Sequence, residues 1–198
     1  MCRLFETIRL EKGVLCNISY HNQRFNSSRK LLFGQTDFID LAERINIPTS
    51  AYDSLMKCRV IYKKEIEAIE FESYQIRSIQ SLKLVVDDDL DYQFKYFNRE
   101  AINLLLKKKE HCDDILIIKN GLLTDASYAN LILYDGNQWR TPAKPLLKGT
   151  MRKFLIESGK VTEADIPVQA IKDFKRIKLI NAMMPFETAP EIETEMIS

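Results

Sequence analysis

FKYFNRE at residues 94–100, GLLTDASYANLILYDGNQWRTP at 121–142 and LLKGTMR at 146–152 are the part of this chain whose reading decides the fold. In a fixed order they set out a lysine among aromatic residues (Lys95, beside Phe94, Tyr96 and Phe97), a carboxylate (Asp125) and a glycine-led helix start (Gly149). Two hairpin signals, Asn120-Gly121 and Asp135-Gly136, lie along the way. An amine in desolvating surroundings loses part of its preference for the charged form, which makes it a usable nucleophile and base. A helix start offers unpaired amides and the positive end of a dipole, which together suit an anion. The run Lys107–Lys109 reads as a solvated helix end.

Outward from this stretch the chain alternates strands and helices. Leu4–Leu10 alternates and is rich in β-formers, and Glu11-Lys12-Gly13 turns it into Val14–Ile18. His21–Leu32 predicts a helix ending at Gly34, and Asp37 is placed to cap a second one running to Arg44. Pro48 breaks the pattern. Leu55–Tyr62, Ala68–Gln75 and Leu82–Val86 have strand composition and are expected to close the N-terminal half as an antiparallel meander. The acidic run Asp87-Asp88-Asp89 marks the expected junction between residues 1–90 and 91–198. Beyond it come a helix over Phe97–Lys109, strands at Ile115–Ile118 and Ala129–Tyr134, a helix over Thr150–Ser158 with Gly159 past its end, and a strand at Ile177–Ala182. The acidic tail after Pro185 is expected to fray.

Composition narrows the function. The 198 residues are 45% hydrophobic, with 29 basic and 28 acidic side chains, so nothing points to a nucleic acid or a membrane surface as partner. No apolar run approaches the roughly 20 residues that span a bilayer, and the strand-like run directly after Met1 leaves no signal peptide. Cys2, Cys16, Cys58 and Cys112 are scattered, which reads as reduced thiols in a cytoplasmic protein. With only His21 and His111, a multi-histidine metal site is excluded, and no metal is expected.

The ordered set resembles the class IV, or fold-type IV, aminotransferases, a family that depends on pyridoxal 5′-phosphate (PLP). Its pattern is met at Lys95, Asn98-Arg99, Gly121, Asp125, Asn130, Thr141-Pro142 and Gly149 to Arg152; LFETIRL at 4–10 and HNQRFNSS at 21–28 match its first strand and arginine-bearing helix. The matches run from about Leu4 to Met184. The resemblance implies an α/β (α+β) fold of two small domains, an N-terminal α/β sandwich and a C-terminal barrel-like β domain with helices, with the cofactor in the cleft between them. It implies Lys95 as the residue that bonds the cofactor aldehyde and moves the substrate proton. Arg24, Thr150, Met151, Asn181 and Ala182 are implied around the phosphate, Asp125 at the ring nitrogen and Arg59 toward a substrate carboxylate. The family usually carries glutamate where this chain has Asp125. A homodimer is implied as well.

Compact length and the LFETIR opening favour, within the family, a 4-amino-4-deoxychorismate lyase that releases pyruvate and 4-aminobenzoate for folate synthesis. An amino-acid aminotransferase of branched-chain or D-amino-acid type is the alternative. A relative that binds without catalysing is a third reading, and Lys95 argues against it.

Overall fold

The computed structural model describes residues 2–52 and 54–198. The chain divides into two compact units, Met1–Ile76 with Phe94–Asn98, and Arg77–Gln93 with Arg99–Ser198. The fold is mixed α/β. Among the described residues no helix is long and apolar enough to cross a membrane.

The first unit is a four-stranded sheet in the order β2-β1-β3-β4, made of β1 (Leu4–Glu11), β2 (Val14–Leu15), β3 (Leu55–Tyr62) and β4 (Ile66–Ser73). Alternation in β1 sends Leu4, Glu6, Ile8 and Leu10 inward, all fully buried. Leu4 and Ile8 pack in one cluster with Phe25 of α1 (Ile18–Phe33), which starts three residues earlier than expected and closes on Gly34, whose amide reaches the Arg29 and Lys30 carbonyls. The short α2 (Leu41–Arg44) is capped by Asp40, not Asp37. Asp37 instead pairs with the buried Arg29. Residues 94–97 lie along the start of β1: Phe5 N–H donates to the Lys95 carbonyl at 3.0 Å and Phe97 N–H to the Arg3 carbonyl at 2.9 Å.

The second unit is built on an eight-stranded sheet that curls into a half-barrel. Its strands are β5 (Leu82–Val86), β6 (Asp114–Lys119), β7 (Leu122–Ala126), β8 (Asn130–Tyr134), β9 (Trp139–Pro142), β10 (Thr162–Ala164), β11 (Arg176–Ile180) and β12 (Glu191–Glu193). Its helices are α3 (Glu100–Leu106), followed by a 3₁₀ turn at Lys107–Lys109, and α4 (Thr150–Glu157). The β6–β7 hairpin turns on Asn120 and Gly121 at φ 51° and 74°, the left-handed pair that a two-residue turn requires.

Two expectations change. β5 does not close an antiparallel meander; it pairs parallel with β6 in the second unit, in register from Leu82 opposite Asp114 to Val86 opposite Ile118. Residues 94–98 group with the first unit, where their backbone bonds to Arg3 and Phe5. The acidic tail is docked: β12 pairs with β11, and Ser198 exchanges backbone hydrogen bonds with Leu82 and Leu84.

Candidate active site

Lys95 leaves the backbone segment pinned to β1, and its ammonium sits 4.5 Å from the centroid of the Phe5 ring. A ring face attracts a cation at that distance. The ring under the amine is therefore that of Phe5 on β1, far from Lys95 in sequence. Arg59, on β3, approaches the same ring, its guanidinium carbon 5.9 Å from the centroid. Its terminal nitrogens lie 3.5 Å from Glu70 and 3.2 Å from Glu72, while its Nε is buried with no hydrogen-bond partner among the described residues.

Arg24 comes from α1. It grips the buried Glu6 with two bonds, Nε to Oε1 at 2.8 Å and Nη2 to Oε2 at 2.5 Å. His21, one turn earlier on the same helix face, meets Glu6 through Nδ1 at 2.6 Å. Burial alone would raise the Glu6 carboxyl, but the Arg24 charge and the bonds from His21 and Arg24 hold it at about 2. For His21, burial has the largest influence and lowers its pKa; Glu6 opposes that, and the charges of Arg24 and Lys95 add to it. The imidazole is accordingly neutral and donates its Nδ1–H, so the ion pair proper is Glu6 with Arg24. Neither Glu6 nor His21 was singled out from sequence. The signal was there: Glu6 has the same parity in β1 as Leu4, Ile8 and Leu10, and an inward carboxylate demands partners.

In the second unit, Asp125 is buried on β7 opposite Asn130 on β8. One oxygen accepts from Asn130 Nδ2 at 2.5 Å; the other accepts from the Leu146 amide and, at 3.2 Å, the Leu147 amide. Burial pushes the carboxyl up to about 7, against the pull of these donors and of Arg152. Asn130 also donates to the Leu147 carbonyl at 2.8 Å. A Cβ on Gly149 would come within 2.0 Å of Asn130 Oδ1, so glycine is required there. Asp125, Asn130 and the 146–149 backbone thus form one latch that sets the start of α4, where Gly149 brings no side chain to cap Thr150 and Met151.

Two motif arginines are structural. Arg152 is buried and bonds Thr141 Oγ1 at 3.2 Å, the Pro142 carbonyl at 2.7 Å and Glu163 at 2.5 Å, tying α4 to β9. Arg99 donates to the Ser127 carbonyl in the turn between Asp125 and Asn130. Asn181 closes its own turn, accepting from Met183 N–H at 2.8 Å and donating to the Tyr128 carbonyl at 3.3 Å, with Ala182 inside that turn. A cleft of about 480 Å³ lies in the same unit, lined in part by Tyr92, Lys119, Thr124, Lys144 and Leu146; the expected site residues are not among its walls.

Lys95, Arg24 and Arg59 therefore belong to the first unit, and Asp125, Thr150, Met151, Asn181 and Ala182 to the second. As a donor set they suit PLP: an amine for an aldehyde, a fixed guanidinium and a glycine-led helix start for a phosphate, and a buried carboxylate for a ring nitrogen.

Residues 3–188 match the family model described as amino-transferase class IV. A protein of Haemophilus influenzae described as uncharacterized is 39% identical over 185 residues, covering 92% of this chain and 98% of that protein. Among solved structures, a protein of Haemophilus somnus 129PT described as a "putative 4-amino-4-deoxychorismate lyase" is 39% identical, with a TM-score of 0.87 over 92% of this chain and 97% of that one. A Mycobacterium tuberculosis protein described as a hypothetical aminotransferase in PLP-bound form has a TM-score of 0.80 at 17% identity, covering 100% of this chain and 81% of that one, a likeness of fold.

Proposed function

Because the chain belongs to the amino-transferase class IV family, we propose that it is a PLP-dependent 4-amino-4-deoxychorismate lyase that releases pyruvate and 4-aminobenzoate, and so serves folate synthesis. The observation that carries the reading is Lys95, held by its own carbonyl to β1 with its amine over the Phe5 ring. The likeness to the Haemophilus somnus protein over nearly its whole length favours the lyase over an aminotransferase.

Bound PLP supplies an aldehyde for covalent attachment and a ring that takes up the electrons left when a proton departs. The protein's own groups do the rest. Lys95 provides the attaching amine and, once released, the base for the proton on the substrate carbon next to nitrogen. Arg24 and the amides at Thr150 and Met151 hold the phosphate, with Asn181 and Ala182 completing its surroundings. Asp125 keeps the ring nitrogen protonated, and Arg59, with its unpartnered Nε, receives a substrate carboxylate. The enzyme acts as a homodimer in the cytoplasm, where Cys2, Cys16, Cys58 and Cys112 stay as the free thiols they are here.

The test is product analysis of PLP-loaded protein with 4-amino-4-deoxychorismate. Stoichiometric pyruvate and 4-aminobenzoate are expected. Amino-group exchange between amino and keto acids, with no 4-aminobenzoate, would replace the lyase by an aminotransferase.

A further inference from the structure

Glu6 stands at an inward position of β1 between Leu4 and Ile8, fully buried. Both of its side-chain partners come from one face of α1, at positions three residues apart. Arg24 spends Nε and Nη2 on a two-bond fork to the two Glu6 oxygens, so the plane of its guanidinium is fixed by the carboxylate. His21, completely buried, prevents that carboxylate from turning by donating to Oε2. The Arg24 side chain itself keeps 15% of its surface, so it is the one member of the trio that reaches solvent.

Resting on the reading of Arg24 as a phosphate partner, we infer that Glu6, braced by His21, is a positioning residue that presents the Arg24 guanidinium to the PLP phosphate in a single orientation. The bland account is that the pair only neutralises a buried carboxylate. The two accounts differ in what a charge-preserving change does. Glu6→Asp keeps the negative charge but retracts the carboxylate by one methylene, so the fork cannot form in place. Neutralisation survives that change and orientation does not. Glu6→Gln is less informative, because removing a negative charge near an anion opposes the loss of geometry.

The experiment measures dissociation constants for PLP and for pyridoxal, which lacks the phosphate, with melting temperatures as a fold control. Wild-type protein is expected to prefer PLP strongly, and Arg24→Ala to lose most of that preference. Glu6→Asp should lower the preference about tenfold through PLP alone, the scale seen for outer partners of metal ligands. Adding Glu6→Asp to Arg24→Ala should then change nothing further. His21→Asn, which retains a donor near the Nδ1 position, should keep the preference, and His21→Phe should reduce it. A folded Glu6→Asp with wild-type preference, or one that weakens PLP and pyridoxal alike, overturns the inference. If Glu6→Asp does not fold, the histidine pair decides, and equal preference in both overturns it. A wild-type protein with no preference for PLP, or an Arg24→Ala that keeps it, defeats the phosphate site itself and the inference with it.

Discussion

Glu6 is fully buried and yet titrates near 2, because Arg24 and His21 outweigh the cost of its burial. Its ordinary value is 4.5, so the folded carboxyl is depressed. Such a group stabilises the fold above its unfolded pKa, and the contribution is lost as pH falls from about 4.5 toward 2. The gap is on the order of 3 kcal/mol. Denaturant unfolding between pH 6 and 2.5 should show the wild type losing stability faster than Glu6→Gln across this window; parallel curves would contradict the pair. Asp125 has the opposite sign. Burial raises its carboxyl from 3.8 to about 7, so its contribution is complete below about 3.8 and is lost as pH rises to about 7. Asp125→Asn should therefore remove a falling slope between those limits, whatever its offset at low pH. An unchanged slope would mean that Asp125 is already ionised in the fold. At this scale motif order is what marks Lys95, Arg24 and Asp125 as candidates. It did not disclose that the Asp125 oxygens accept from Asn130, Leu146 and Leu147, since two of these donors are backbone amides of a distant loop.

Strand β1, α1, the β6–β7 hairpin and α4 were all legible, because each carries a local signal: alternation, a closing Gly34, an Asn-Gly turn, a Gly-led start. β5 and the C-terminal tail were not. β5 has the composition of any buried strand, and only long-range pairing assigns it to β6. The tail looked frayed because its acidic residues dominate its composition. In the fold, Glu191 pairs with Arg176 at 2.8 Å and Lys178 at 3.3 Å, and Ile192 is buried. Deleting residues 191–198 exposes that contact and leaves two strands short of backbone partners. Burial of one such side chain is worth about 2 kcal/mol, so the melting temperature should fall by about 4–8 °C. A drop under about 1 °C would return the tail to the status of a loose end.

Across the whole molecule, the residues proposed to hold PLP run from Arg24 to Ala182 in sequence, so an unfolded chain offers no such set. PLP at about one hundred times its dissociation constant should add about 2.7 kcal/mol, which for a chain of this size raises the melting temperature by about 5–10 °C. Pyridoxal at the same concentration should give much less; an equal rise would deny the phosphate any anchor. The return of residues 94–98 to the first unit depends on backbone bonds to Arg3 and Phe5 that composition does not reveal. That return is what puts Lys95 over Phe5, and the central claim rests on that lysine. Its most direct test is borohydride reduction of PLP-loaded protein followed by peptide mapping. One stable phosphopyridoxyl adduct, on Lys95, is expected. An adduct on another lysine, or none, would contradict it.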